Sequence, residues 1–327
     1  MKRRAFLATL AASAALWPRN GLAQAPPKRP LIGFLSASSK AVAARYYSGF
    51  TQGMQELGYV EGRDYAFEDR YADGDLARLP LLAAELVRLK PDVVVAGPLA
   101  AALATKQVTA SIPIVGVNLY DPVGFGLVAN EARPGTNVTG ILALVEGLAG
   151  KQVEIALDLV PSASKMGAVV NVNNPTNLLQ RREVEAAAVK LGVSMATVEV
   201  RTADEIGAAF QTFVRERANI VVVLGDATFV TVRRQIAAFA LASRLPTVYS
   251  FREHVEDGGL ISYGTDLRAN YRRAAYYVNR IVKGEKPADL PIEFPTKVEM
   301  VINLATAKAI GLIIPPTLLA RADEVLE

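Results

Sequence analysis

The 327-residue sequence contains no cysteine, one histidine (His254) and one tryptophan (Trp17). Without cysteine the chain can form no disulfide, no thiolate metal site and no lipid anchor on a cysteine side chain. A single histidine also restricts any nucleophile–histidine pair to one candidate base, and we expect His254 to be a solvated loop residue. Because 51% of the residues are hydrophobic, we expect a sizeable core that holds the fold without cross-links.

The first 25 residues have the pattern of an export signal. A basic cluster at residues 2–4 precedes a mild apolar stretch at 5–17, and Ala23-Gln24-Ala25 supplies a small-x-small cleavage pattern. Arg3-Arg4-x-Phe6-Leu7 is similar to a twin-arginine signal, with an ordinary secretory signal as the alternative. The apolar stretch is shorter than the about 20 residues that span a bilayer. We therefore predict cleavage and a soluble periplasmic protein.

The predicted signal also accounts for the net charge of +4. It holds four of the 36 lysines and arginines and no acidic residue, so the remaining chain has 32 basic and 32 acidic residues. A balanced charge does not favour nucleic acid or membrane lipid as partners, and we expect neither. No motif in the sequence requires a cofactor, and we expect none.

Short apolar runs alternate with helical stretches, which indicates an α/β fold with parallel sheets covered on both faces. The predicted strands are 31–35, 65–71, 92–96, 112–117, 166–172, 194–200, 220–224, 247–249 and 260–263. The predicted helices include 76–89, 180–191, 203–217 and 267–282.

A weak internal repeat indicates how these elements are grouped. Two segments, from Leu57 to Gly97 and from Leu191 to Gly225, have the same order of elements. Each follows a helix and contains Leu-Gly, a strand, Ala-Asp, a second helix and an apolar strand. Two Rossmann-like lobes would produce this repeat, and one large doubly wound sheet is the alternative. We favour two lobes because about 300 residues exceed the usual size of one core.

Polar residues cluster where the predicted strands end, and ligands of open α/β sheets bind outside these carboxyl ends. The candidates are Ser36, Ser38, Asn118, Asp121, Asn173, Asn174, Asn177, Asp226, Tyr249 and Tyr263. Each one alone could equally be a helix cap or turn former. Their shared placement is what suggests a common ligand.

Several longer stretches carry a resemblance to a known family. They are Gly33-Phe34-Leu35-Ser36, Leu57-Gly58-Tyr59-Val60-Glu61-Gly62, Asp121-Pro122-Val123-Gly124, residues 133–140, Phe251-Arg252-Glu253, Ser262-Tyr263-Gly264 and residues 314–325. From about Pro30 to its end the chain resembles the solute-binding proteins of a widespread bacterial ABC importer family. Some members of that family are described as tryptophan/tyrosine importers.

The resemblance implies a type I periplasmic-binding fold, in which two lobes joined by hinge strands close on a solute. We expect residues 30–142 with 253–286 to form the N-terminal lobe and residues 143–252 with 287–327 to form the C-terminal lobe. The chain crossings are expected near 142–146, 250–253 and 283–290. The family also implies an ABC permease and its ATPase as membrane partners, and we expect a monomer.

The resemblance also suggests roles for the candidate residues. An amino acid, the aromatic ones included, or a related carboxylate is the favoured ligand, with Asp226 facing its ammonium group. Its carboxylate or other polar end would contact Ser36, Ser38, Asn118 and the helix start at Gly97, Pro98 and Leu99. Phe229, Tyr249 and Tyr263 would supply apolar or stacking surface.

The chain departs from its relatives at this helix start. Similar proteins commonly carry Thr or Ser there, whereas this chain reads Pro98-Leu99-Ala100-Ala101. Backbone N–H groups can still bind a carboxylate at a helix start. The missing side-chain hydroxyl predicts a weaker anion contact.

Two other functions remain open from the sequence. An exported enzyme is one, but residues 124–129 match G-x-G-x-x-A late in a lobe rather than directly after a first strand, and no G-x-S-x-G or H-E-x-x-H is present. A periplasmic sensor that binds the same solute and reports to a receptor is the other. The sequence does not separate sensing from transport.

Overall fold

The computed structural model describes residues 29–143, 146–295 and 297–327. The predicted export signal lies outside these residues. The strands are β1 Leu31–Ser36, β2 Ala66–Tyr71, β3 Val93–Gly97, β4 Ile114–Leu119, β5 Val138–Leu142, β6 Lys165–Asn171, β7 Ser194–Val200, β8 Ile220–Val223, β9 Thr247–Tyr249, β10 Ile261–Thr265, β11 Val298–Asn303 and β12 Glu324–Leu326.

In the described residues, twelve α-helices connect these strands. They are α1 Lys40–Glu56, α2 Leu79–Arg88, α3 Leu99–Val108, α4 Leu148–Leu159, α5 Pro175–Lys190, α6 Ile206–Arg215, α7 Ala227–Thr231, α8 Arg233–Ala242, α9 Arg252–Glu256, α10 Leu267–Val282, α11 Leu304–Ile310 and α12 Pro316–Leu319. Short 3₁₀ turns lie at Leu76–Arg78, Ala203–Glu205 and Pro287–Asp289. All nine predicted strands are present, with ends shifted by up to two residues, and β5, β11 and β12 are additional.

The first lobe is built on a five-stranded parallel sheet of order β2-β1-β3-β4-β5. Strand β3, with the sequence VVVAG, is buried along its whole length. Such a continuous β-branched run suits a central parallel strand that is covered by helices on both faces. Helices therefore flank this sheet on both sides, as the strand pattern predicts.

The second lobe is built on a seven-stranded sheet of order β12-β11-β10-β9-β8-β6-β7. Its pairings are parallel except for β10 with β11, which is antiparallel. Because β10 pairs with β9 and β11, residues 261–265 lie in the second sheet. The second crossing therefore follows Thr265, whereas the sequence analysis placed it near 250–253.

The chain segments that cross between the lobes are hydrogen-bonded side by side. The backbone N–H of Leu142 donates to Glu293 O at 2.9 Å, and that of Glu293 donates to Gly140 O at 2.9 Å. The hydroxyl of Thr265 donates to Ala143 O at 2.9 Å. These bonds join all three crossings into one hinge region, so a change in lobe angle at one crossing involves the others.

Helix α10 leaves the second sheet and packs against α1 of the first lobe. Two glycines of α1 make this contact close. A Cβ placed on Gly53 would lie 2.3 Å from Arg272 O, and one on Gly49 would lie 2.5 Å from Arg268 O. The bare glycine backbone therefore sets the distance between the two helices.

Among the helices of the described chain, none combines the length and the apolar character that a bilayer span requires.

We predict opposite effects for two helical Gly→Ala substitutions. Gly53→Ala should destabilise the protein by about 1–3 kcal/mol, because the methyl group forces α10 away from α1. Gly150→Ala, whose Cβ would meet nothing closer than Ala187 Cβ at 3.6 Å, should stabilise it by about 0.5–1 kcal/mol. Urea denaturation of both variants tests this. Stabilisation by Gly53→Ala would show that the α1–α10 contact is not tight.

Candidate functional site

The carboxyl ends of the two parallel sheets face each other across a cleft. Ser36 ends β1 and Gly97 ends β3 in the first lobe, while Gly225 and Asp226 follow β8 in the second. These residues line one cavity of about 60 Å³. Parallel pairing brings the loops after the strands to one edge of each sheet, which is why residues distant in the sequence meet here.

Eight of the predicted site residues line this cavity. They are Ser36, Ser38, Gly97, Pro98, Leu99, Asn118, Asn174 and Asp226.

Three predicted polar residues lie outside the cavity. Asp121 borders a neighbouring groove, where its Oδ1 accepts from Gly124 N at 2.8 Å. Asn173 lies at the cleft entrance, and its Nδ2 donates to Arg201 O at 3.1 Å. Asn177 is fully buried and donates to Gly225 O at 2.9 Å, so it positions the end of β8. In this structure these side chains stabilise turns and strand ends.

The three predicted aromatic residues also lie elsewhere. Phe229 and Tyr249 are completely buried in the second-lobe core, and Tyr263 packs against the cores of both lobes. Phe229 belongs to the short helix α7, whose residues Ala227 and Val230 face the cavity. Residues three apart share a helix face, so Phe229 faces the opposite side.

The other residues that line the cavity were not predicted from the sequence. They are Tyr46, Leu76, Ala100, Tyr120, Ala143, Thr176, Gly225, Ala227, Val230, Phe251, Leu267 and Tyr271. Many of them lie within the first turns of helices that follow strands rather than at the strand ends. The useful signal would have been an apolar or aromatic residue one or two turns after a polar strand end.

Asp226 is the only acidic residue among the described residues that line the cavity. Its Oδ1 accepts from the N–H groups of Thr228 at 2.7 Å and Phe229 at 3.1 Å, which caps α7. Its Oδ2 accepts from Asn174 Nδ2 at 2.7 Å and Asn171 Nδ2 at 3.2 Å. Burial raises the pKa of Asp226 even though these four bonds oppose the shift.

The first-lobe wall presents hydrogen-bond donors. Ser36 Oγ accepts from Ser38 N at 3.2 Å. The Ser38 hydroxyl bonds to no other described residue, so it is available to the cavity. Asn118 has a left-handed φ of 60°, and its Oδ1 accepts from Asn270 Nδ2 at 2.8 Å. The Asn118 amide nitrogen is thereby left as a donor. None of the described lining residues is lysine, arginine or histidine, so the cavity offers neutral donors.

Polar contacts join the two lobes around the cavity. At the entrance, the Thr228 hydroxyl donates to Gly74 O at 2.8 Å. Beside the hinge, the Tyr120 hydroxyl donates to Glu183. At a third contact between the lobes, Arg45 of α1 forms a bidentate ion pair with Glu256 of α9. The structure therefore has the lobes closed against each other.

Helix α9 carries two unusual buried groups beside this ion pair. Glu253 is 3% exposed, lies 4.0 Å from Arg45, and neither of its carboxylate oxygens has a hydrogen-bond partner in the described part of the chain. Burial raises the pKa of Glu253 to about 7. His254 was expected in a solvated loop but is 1% exposed and stacks on Tyr249, and burial lowers its pKa to about 3.

Glu253 should make the stability of the protein pH-dependent. Its folded-state pKa lies above the ordinary value of 4.5. The contribution of Glu253 to the free energy of unfolding is therefore fully present below about pH 4.5 and is lost as the pH rises through about 7. Glu253→Gln removes this titration. We expect the variant to gain roughly 3 kcal/mol relative to wild type between these limits, measured by denaturation across the range. His254 stays neutral in the folded protein but becomes protonated in the unfolded chain below about pH 6.5, so it lowers the stability of wild type and variant equally on acidification and cancels from their difference.

Glu256→Gln is the matched control on the same helix. Although burial alone would raise the pKa of Glu256, hydrogen bonds from Arg45 and Arg252 hold it below its ordinary value. This variant should therefore lose stability at neutral pH, and the loss should shrink on acidification. A Glu253→Gln variant that follows the wild-type pH curve would show that Glu253 is ionised in the folded state.

Comparisons with known proteins agree with this architecture. The family model described as "ABC transporter substrate binding protein" matches residues 34–326. A tyrosine-binding protein of Clostridioides difficile is 25% identical over 264 residues, which cover 81% of this chain and 76% of the relative.

Two solved structures are also similar. A conserved domain protein of Vibrio cholerae has a TM-score of 0.86 at 26% identity, over 91% of this chain and all of that one. An ABC domain from Streptococcus pneumoniae in complex with L-Trp has a TM-score of 0.81 at 27% identity, over 90% of this chain and all of that one. The fold is the type I periplasmic-binding fold. The chain belongs to the ABC transporter substrate-binding protein family.

Proposed function

We propose that this protein is the periplasmic solute-binding component of an ABC importer. It captures an amino acid, the aromatic ones included, or a related carboxylate in the interlobe cleft. Closure of the lobes around the ligand then presents the form that the membrane permease and its ATPase recognise. The family supports the transport role, and the relatives that bind tyrosine and tryptophan support the ligand class.

The unequal polarity of the two cleft walls is the observation that carries this proposal. The first-lobe wall offers neutral donors, namely the Ser38 hydroxyl, the Asn118 amide and the N–H groups that begin α3. The second-lobe wall offers Asp226, a buried carboxylate. A zwitterionic amino acid placed between them meets donors at its carboxylate and negative charge at its ammonium group.

Asp226 is suited to an ammonium group although its oxygens already accept four hydrogen bonds. None of the ion pairs between described residues includes Asp226, and burial raises its pKa. A ligand cation would therefore supply the countercharge that this carboxylate lacks. Binding of an aminated ligand should also be weaker at low pH, where Asp226 becomes protonated.

The size of the cavity limits what fits without movement. A space of about 60 Å³ holds only a few water-sized groups, and it is smaller than a dry cavity of about 150 Å³ that binds benzene. A small amino acid therefore suits the closed cleft better than an aromatic one. An aromatic side chain requires the lobes or the lining tyrosines to move apart, so small and aromatic amino acids both belong in a ligand screen.

A thermal-unfolding screen tests the proposal. The panel contains small and aromatic amino acids, amine-free aromatic acids, amides and simple carboxylates. A ligand at about a hundred times its Kd adds about 2.7 kcal/mol, which raises the Tm of a chain this size by roughly 4 °C. We expect such a shift with one class of carboxylate. No shift with any compound would reject the proposed ligand class, and a ligand converted to product, detected by mass spectrometry, would indicate an enzyme.

Asp226→Ala tests the ammonium contact. A charge-assisted hydrogen bond contributes about 1.5–3 kcal/mol, so the affinity for an aminated ligand should fall roughly tenfold or more in calorimetric titration. The amine-free analogue should lose much less.

Asn303→Ala is the control for the loss of a helix cap. Asn303 Oδ1 accepts from Thr306 N at 2.9 Å and caps α11. Both variants should lose about 1 kcal/mol of stability from the missing cap, but only Asp226→Ala should bind more weakly. Equal affinity of Asp226→Ala and wild type for the aminated ligand would eliminate the role of Asp226.

A further inference from the structure

Two buried tyrosines line the first-lobe wall of the cavity and were not among the residues predicted from the sequence. Tyr46 of α1 is 4% exposed and Tyr271 of α10 is 2% exposed, and both reach the cavity. Neither hydroxyl forms a hydrogen bond with another residue in the described part of the chain. Buried hydroxyls normally have a partner, so a pair that faces a cavity without one points to a ligand.

The rings are held rigidly in place. Tyr46 and Tyr271 stack with their centroids 5.2 Å apart and their planes within 10°, and Tyr271 also packs 5.7 Å from Phe34. Burial raises the pKa of both tyrosines. Both hydroxyls therefore keep their protons and can donate to an acceptor in the cavity.

The Tyr271 hydroxyl lies against the residue that precedes α3. A Cβ on Gly97 would stand 2.3 Å from Tyr271 Oη, so the glycine leaves the space that the hydroxyl occupies. The next residues, Pro98, Leu99 and Ala100, also line the cavity and begin α3. This helix start carries no side-chain hydroxyl of its own, since it reads Pro98-Leu99-Ala100-Ala101.

We propose that Tyr271, supported by Tyr46, supplies the hydroxyl donor that the start of α3 lacks, and that together they bind the ligand's carboxylate. The inference rests on the proposed function and specifies its anion subsite. The subsite holds no cationic side chain among the described lining residues. It consists of tyrosine hydroxyls and backbone N–H groups at a helix start, where the dipole also favours an anion.

Tyr271→Phe and Tyr46→Phe test the subsite by calorimetric titration with L-tryptophan and with tryptamine, which lacks the carboxylate. Loss of a hydrogen bond to a charged group should weaken tryptophan binding about tenfold or more in Tyr271→Phe. Tryptamine binding should change little. The preference for tryptophan over tryptamine should therefore fall by the same factor, with a smaller fall for Tyr46→Phe.

Tyr277→Phe is the matched control. Tyr277 lies on the same helix and is equally buried, but its hydroxyl donates to Pro291 O at 2.7 Å. In the ligand-free protein we expect Tyr277→Phe to lower the Tm by about 2–4 °C. Tyr271→Phe should leave it unchanged or raise it, because its hydroxyl has no bond to lose. Tyr277→Phe should keep the wild-type preference for tryptophan.

The outcomes separate this inference from the proposed function. An unchanged tryptophan preference in Tyr271→Phe, or a fall in ligand-free Tm as large as that of Tyr277→Phe, would overturn the inference and leave the proposed function standing. A wild-type protein that binds no carboxylate of the panel would overturn the proposed function. In that case the ligand-free Tm of the two variants still shows whether the Tyr271 hydroxyl forms a hydrogen bond that stabilises the folded protein.

Discussion

Parallel strand pairing is the constraint on which the cleft depends. In a parallel sheet every strand ends at the same edge, so the residues that follow β1, β3 and β4 must lie together. The second lobe repeats the arrangement with the residues after β6 and β8. The antiparallel pair of β10 with β11 lies on the far side of that sheet, where the chain leaves for α10 and returns. Both sets of strand ends are thus available to one ligand.

Within the described chain, polar groups at the site are buried without an opposite charge beside them. Asp226 is buried, and the described groups that bond to its oxygens are amide and backbone N–H dipoles rather than cations. Tyr46 and Tyr271 are also buried and line the cavity. In a medium of low polarity, burial of an unpaired polar group costs free energy, and a hydrogen bond between paired groups is stronger than in water. A ligand that pairs these groups gains more from each contact than the same contact would give in water.

Glu253 is a further buried polar group, and its carboxyl group also lacks a partner among the described residues. It lies behind the cavity, beside the ion pair of Arg45 with Glu256 that joins the lobes. Its carboxyl group has no described donor, and burial favours the protonated form. Since Arg45 belongs to the first lobe and Glu253 to the second, the charge state of this carboxyl group is coupled to a contact between lobes.

The sequence predicted the class of fold because hydrophobic pattern alone determines it. Runs such as Val93–Gly97 and Ile220–Val223 are too apolar and too short to be anything but buried strands between helices. Strand β5 was missed because Gly140 interrupts its short apolar run, and β11 was missed because the buried Glu299 reads as a surface residue. The second crossing was misplaced because pairing of β10 with β11 depends on residues almost 40 positions apart.

The site was predictable only where it lies at strand ends. Ser36, Asn118 and Asp226 followed from position alone, whereas Tyr46 and Tyr271 come from two helices of distant sequence that happen to pack together. The sequence shows that the start of α3 carries no side-chain hydroxyl, but only the fold shows that the Tyr271 hydroxyl lies beside it. The missing Cβ of Gly97 leaves the space that this hydroxyl occupies. Segments that are distant in the sequence thus meet at this helix start, so a motif read along the chain does not identify all the donors of the cleft wall.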